Sequence, residues 1–251
     1  MRTQSWSGRR SRRPATEVLP PPRSPASRGG RVVSVKFCGL MRPEDAREAA
    51  RIGAAYVGAI FAGGPRDVTP EQAREIFNAA SGGPVAVGVF GADDVDEIAG
   101  EAAAAGVEVI QLHGDPRAAD VRAVRREFGG RVWAVARADG SILPEWAEEL
   151  FHEADAVLLD AHVKGRLGGT GVKLEWGALA DSVAALRGRT PVVLAGGLNP
   201  GNVAEAVRLL APDVVDVSSG VETSPGVKDH VKMRAFFDAA QGTHATEGNA
   251  P

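Results

Sequence analysis

From Val32 onward the chain repeats one unit eight times: a short run rich in Val, Ile, Leu and Ala, then a longer stretch bounded by helix signals. The apolar runs fall at 32–38, 55–61, 85–90, 107–112, 131–137, 156–160, 191–195 and 214–218. Runs this short and this continuously apolar are expected of strands covered on both faces. Between them, Pro43-Glu44-Asp45 opens a helix that Gly53 stops, and Thr69-Pro70-Glu71-Gln72 reads as a capping box. Further helices are predicted over 94–105, from a cap at Asp115-Pro116 to Gly129, over 144–151 and 176–186, from a cap at Asn199-Pro200, and over 228–239. Eight strands, each followed by a helix, in about this length predict an α/β chain closed into a single (β/α)8 TIM barrel over 31–240. An open doubly wound sheet usually keeps its glycine-rich turn after the first strand, whereas here the glycine-rich turns come late.

The 251 residues carry a net charge of −3 that is unevenly spread. Of 29 basic and 32 acidic residues, residues 1–30 hold seven Arg and one Glu, which leaves 22 basic against 31 acidic in the remainder. A net-negative body argues against a broad nucleic-acid surface. The Arg-, Ser- and Pro-rich segment 1–30 has almost no apolar periodicity and is expected to be a disordered basic N-terminal extension. A solvated tail, a transit peptide and a nucleic-acid-binding arm are alternative readings of it. Residues 241–251 are expected to form a flexible tail. No Met falls between Met1 and Met41, and a start at Met41 would delete Cys38. The single cysteine excludes an internal disulfide and fits a reducing, cytoplasmic setting. No apolar run is long enough to span a bilayer, so no membrane partner is expected.

Candidate chemistry lies at the strand ends. Cys38 closes the first run, beside Gly39, at the rim where barrel enzymes react. It reads either as a small buried hydrophobe or as a base, if positive charge lowers its pKa. Lys36 shares its strand parity, and Asp216 on the eighth strand meets the first on closure. A Lys36–Asp216 ion pair beneath Cys38 is therefore expected, either structural or setting the thiol's environment. Asp160 ends the sixth run as a proton donor or a helix cap. Arg66, in G-G-P-R-D, offers a fork for a carboxylate or is simply solvated. His113, in Q-L-H-G, lines the pocket or only turns the chain. A-G-G-L-N-P (195–200) and S-S-G-V-E (218–222) follow strands seven and eight, where barrels hold phosphate. The other histidines have no zinc-like spacing, and no metal is expected.

These stretches, in order, are V-K-F-C-G-L-M-R-P-E-D-A, G-P-R-D-V-T-P-E-Q-A, V-G-V-F, Q-L-H-G-D, L-L-D, G-G-T-G, A-G-G-L-N-P-G-N-V and D-V-S-S-G-V-E-T-S-P-G-V-K-D. From about Val33 to Ala239 the chain resembles the phosphoribosylanthranilate isomerase family of tryptophan biosynthesis. The resemblance implies a cofactor-free Amadori rearrangement of a small phosphorylated substrate by a monomer or homodimer. It implies Cys38 as general base, Asp160 as general acid and Arg66 as the holder of the anthranilate carboxylate. It places Gly196, Gly197, Asn199, Ser218, Ser219 and Gly220 on the phosphate segments, with Asp216 supporting the base. A related isomerase acting in both histidine and tryptophan biosynthesis is one alternative, although such enzymes use carboxylates for both acid and base. A non-catalytic phosphate-binding barrel is another; it would not need Cys38 and Asp160 together.

Overall fold

The computed structural model describes residues 32–91, 94–161, 176–188 and 190–242. The basic extension, the glycine-rich G-G-T-G loop and residues 243–251 lie outside them. Eight parallel strands close into one ring: β1 (Ser34–Phe37), β2 (Tyr56–Ile60), β3 (Val85–Phe90), β4 (Val109–Leu112), β5 (Arg131–Ala138), β6 (Ala156–Ala161), β7 (Val192–Leu194) and β8 (Val214–Val217). The helices between and after them are α1 (Pro43–Ile52), α2 (Pro70–Ala79), α3 (Val95–Ala105), α4 (Ala118–Phe128), α5 (Ala147–Glu153), α6 (Trp176–Leu186), α7 (Val203–Leu210) and α8 (His230–Gly242). The chain is a (β/α)8 barrel.

Strand parity divides the core in two. One cluster fills the ring, with Tyr56, Val87, Val109, Trp133, Leu158 and Val193 among its members. Tyr56 and Trp133 meet there edge to face, with centroids 4.9 Å apart. The larger cluster lies between strands and helices and includes Phe37, Leu159, Leu194, Val215 and Phe236. Closure is made by β8 against β1, in a register that sets Asp216 directly opposite Lys36.

Most helix signals act where the sequence puts them. Thr69 Oγ1 accepts from Gln72 N at 3.3 Å while Gln72 Oε1 accepts from Thr69 N at 2.9 Å, a complete capping box. Asp94 caps α3, and Gly53 ends α1 at φ 92°. Two expected caps are corrected. Asp115 does not cap α4, which starts at Ala118 after Arg117; Asp115 turns to φ 53° and pairs with Arg137. Asn199 does not cap α7, whose Ncap is Asn202; Asn199 Oδ1 instead accepts from Gly201 N at 2.9 Å, a local turn. The fifth helix covers 147–153 rather than 144–151, and α8 runs to Gly242 rather than 239 because its inner face stays packed through Ala240. A short antiparallel hairpin, β9 (Glu222–Ser224) with β10 (Val227–Lys228), was not legible as strand pattern.

Candidate active site

A cavity of about 290 Å³ opens at the C-terminal ends of the barrel strands. Cys38, directly after β1, and Asp160, from β6, both line it, as do Arg66, His113, Gly196, Gly197, Asp216, Ser218, Ser219 and Gly220. Lys36 lies one layer lower, fully buried, and Asn199 braces the loop after β7 without facing the cavity.

The buried pair beneath the thiol is present: Lys36 Nζ donates to Asp216 Oδ2 at 3.0 Å. Burial opposes charge on Lys36, but Asp216 and then Cys38 outweigh it and hold the ammonium above the ordinary lysine value. Gly58, opposite on β2, leaves the room: a Cβ there would lie 3.1 Å from Cys38 Sγ and 3.2 Å from Lys36 Nζ. The condition set for Cys38 as a base, a pKa lowered by positive charge, is not met in the resting site. Burial pushes the thiol up, and the attraction of Lys36 offsets only part of that rise. The resting group is therefore a thiol.

His113 Nε2 stands 3.8 Å from Asp160 Oδ2. Burial, reinforced by Arg137, brings the imidazole pKa down to about 3, so the ring is neutral and the contact is not an ion pair near neutrality. Arg137 also donates to the His113 carbonyl, which ties β5 to the loop after β4.

Two glycine-bearing loops, after the adjacent strands β7 and β8, pack side by side at the cavity mouth. The N–H groups of Gly196 and Gly197 on one side, and of Ser219 and Gly220 on the other, make no hydrogen bond among the described residues. Gly196 and Gly197 have φ of 85° and 67°, which only glycine adopts readily. Gly220 packs so tightly that a Cβ would overlap the Leu198 carbonyl oxygen. Unpaired N–H groups on closely approaching backbone make a cradle for an anion. Among the described residues, no group of three or more His, Cys, Asp or Glu is placed to hold a metal ion.

Arg66 reaches the cavity and is ion-paired there, only partly exposed. Its Nε and Nη2 donate to Glu222 at 2.8 and 2.7 Å. Sequence reasoning missed Glu222 and Lys228, its second cationic partner, and also Gln111. Gln111 is 1 % exposed and lines the cavity, with Oε1 unpartnered among the described residues. A signal for it existed: it shares parity with Val109, so a polar side chain stands where an interior one belongs.

A closed barrel with an acidic and a thiol side chain on one cavity, and an anion cradle after strands seven and eight, defines the phosphate-binding class of barrel sites. Within that class, residues 35–239 match the family model described as N-(5′phosphoribosyl)anthranilate (PRA) isomerase, and the chain belongs to that family. It is 40% identical over 211 residues to an N-(5′-phosphoribosyl)anthranilate isomerase of Rubrobacter xylanophilus, covering 84% of this chain and all of that protein. The crystal structure of the Thermus thermophilus phosphoribosyl anthranilate isomerase superposes with a TM-score of 0.72 at 36% identity, covering 82% of this chain and 98% of that one. A phosphoribosyl anthranilate isomerase solved with reduced 1-(o-carboxyphenylamino)-1-deoxyribulose 5-phosphate gives 0.71 at 30% identity, over 84% of this chain and 100% of that one.

Proposed function

We propose that this chain converts N-(5′-phosphoribosyl)anthranilate to 1-(2-carboxyphenylamino)-1-deoxyribulose 5-phosphate, a step of tryptophan biosynthesis, with Asp160 as general acid and Cys38 as general base. The observation that carries the reading is that both side chains line one cavity whose mouth holds the unpaired N–H groups of the two glycine loops. Family membership supplies the substrate.

Asp160 gives a proton to the ribose ring oxygen as the bond from that oxygen to C1′ breaks, and the anilino nitrogen's electron pair completes a protonated Schiff base. Cys38 loses its thiol proton to solvent as the cation forms, then takes the proton from C2′ as thiolate, and the electron pair of the C2′–H bond moves to form the enolamine. Tautomerisation, with a proton returned at C1′, yields the ketone. C2′ is oxidised as C1′ is reduced, so the redox change is internal. The resting thiol fits this order of events. The cationic Schiff base adds positive charge above a sulfur that already has Lys36 below it, and the two together draw the thiol toward thiolate. Arg66 holds the anthranilate carboxylate, and the N–H groups of Gly196, Gly197, Ser219 and Gly220 hold the phosphate.

The test follows loss of the substrate's anthranilate fluorescence with wild type, Cys38→Ser and Asp160→Asn. General acid–base groups contribute about 10²–10⁴-fold, so each variant should lose at least about a hundredfold in kcat. Full activity in either variant removes the acid–base assignment, and an inactive wild type removes the function.

A further inference from the structure

The hairpin of β9 and β10 brings two charged side chains against the back of Arg66. Glu222 Oε1 accepts from Arg66 Nε at 2.8 Å and Oε2 accepts from Nη2 at 2.7 Å. Lys228 Nζ donates to the same Oε1 at 2.7 Å, and to the carbonyl and hydroxyl oxygens of Ser218 at 3.2 and 3.3 Å. The Glu222 and Lys228 side chains are 5% and 0% exposed, and neither borders the cavity that Arg66 and Ser218 line.

Three physical consequences follow from this layout. A guanidinium is a rigid plane, so a bidentate contact on its Nε–Nη2 edge fixes its orientation. Nη1 makes no hydrogen bond among the described residues and remains for a ligand. Two cations share one carboxylate, which leaves one unit of positive charge uncompensated beside the cavity. The stem of Arg66 is also confined: a Cβ on Gly39 would lie 2.7 Å from Arg66 Cδ and 3.0 Å from Ser218 Oγ. The carboxylate fork and the phosphate-loop serine therefore lie over the residue next to Cys38.

We propose that Glu222 is a positioning residue that, braced by Lys228, presents Nη1 of Arg66 to the carboxylate of the anthranilate ring and sets the spacing between that fork and the phosphate cradle. The inference rests on the function proposed above, with Arg66 as the carboxylate holder. The chain Arg66–Glu222–Lys228–Ser218 links the two anionic ends of the substrate through buried hydrogen bonds. Glu222 stays ionised throughout the working range, because Arg66 and Lys228 overcome its burial and hold it at about 2.

The test compares wild type, Arg66→Met, Glu222→Gln and the double variant on two substrates, phosphoribosylanthranilate and the phosphoribosyl derivative of aniline, which lacks the carboxylate. Glu222→Gln should raise KM for the first substrate about tenfold, the scale of one charge-assisted hydrogen bond, with kcat changed less than about threefold. KM for the aniline derivative should not move, and Glu222→Gln should add nothing once Arg66 is Met. Glu222→Asp keeps the charge with a shorter reach, so it should show a smaller shift with the same substrate dependence. It carries the same readout if Glu222→Gln does not fold by near-ultraviolet circular dichroism. Equal losses on both substrates, or a loss that persists beside Arg66→Met, overturn the positioning role. If Arg66→Met itself fails to discriminate the two substrates, the carboxylate-holding reading is lost and the positioning role with it. If Arg66→Met discriminates and neither Glu222 variant does, the positioning role alone is lost. A wild type inactive on both substrates counts against the function itself.

Discussion

Replacing Asp216 by Asn should destabilise the barrel by several kcal/mol at neutral pH, by an amount that shrinks as pH rises. The carboxylate lies 3.0 Å from a fully buried Lys36 ammonium, with side-chain exposures of 7% and 0%. At an effective dielectric of about 20 that separation gives an attraction of about 5 kcal/mol. Removing one partner of a buried pair typically costs about 3–5 kcal/mol. The variant has an escape that sets a ceiling, because Lys36 can shed its proton. Deprotonating a lysine of ordinary pKa at pH 7 costs about 4.6 kcal/mol, and the ceiling drops by about 1.4 kcal/mol per pH unit, to about 2 kcal/mol at pH 9. The sign follows from proton counting. In wild type the folded Lys36 pKa is raised, so the pair's contribution is complete below the unfolded value and is lost only as pH climbs through the folded one. In the variant the folded pKa is depressed, the unfolded chain binds more protons, and stability rises with pH up to the unfolded value of about 10.4. Urea unfolding at several pH values, followed by tryptophan fluorescence, measures the gap directly. A loss below about 1 kcal/mol at pH 7, or a gap that stays constant to pH 9, would refute an ionised buried pair.

Lys36→Met removes the strongest attraction that draws the Cys38 pKa down, so alkylation of the chain's one cysteine by iodoacetamide should shift to more alkaline pH; an unchanged profile would sever Lys36 from the thiol. Gly220→Ala drives a Cβ into the Leu198 carbonyl and to 3.1 Å of Asn199 Cα, both backbone that cannot rotate away. A phosphate cradle displaced by about 1 Å should cost about 10²-fold in kcat/KM on the phosphorylated substrate, and a normal kcat/KM would remove that loop from phosphate binding. With its imidazole near 3, His113 is neutral across the working range, so the pH profile of kcat/KM between about 5 and 8 should keep its shape in His113→Gln; loss of a limb in that window would show a charged histidine.

What was legible from residue order, and what was not, divides along a physical line. Strand-borne side chains obey a period of two, so parity alone places Lys36 under Cys38, and closure of the ring brings β8 beside β1 with Asp216 in reach. The same rule applied to β4 singles out Gln111, which shares the parity of the interior Val109. Loop residues have no such period. Arg66 was recognisable as a cation at the rim, but its anion stands 156 positions later on a hairpin of three-residue and two-residue strands, too short to leave an alternation. The failed caps have a different cause. The following prolines are not the obstacle, because Thr69 caps α2 with Pro70 directly after it. Asp115 and Asn199 instead engage their side chains elsewhere, Asp115 with Arg137 and Asn199 in its own turn, and the helices begin three and four residues later, at Ala118 and Val203. The thiol shows the limit most sharply. Lys36 draws the Cys38 pKa down, yet the enclosure that puts Lys36 in contact also removes the water that would stabilise a thiolate, and the second effect is the larger. In the proposed role of base, Cys38 is poised rather than pre-ionised, and its activation belongs to the charge that the substrate itself develops.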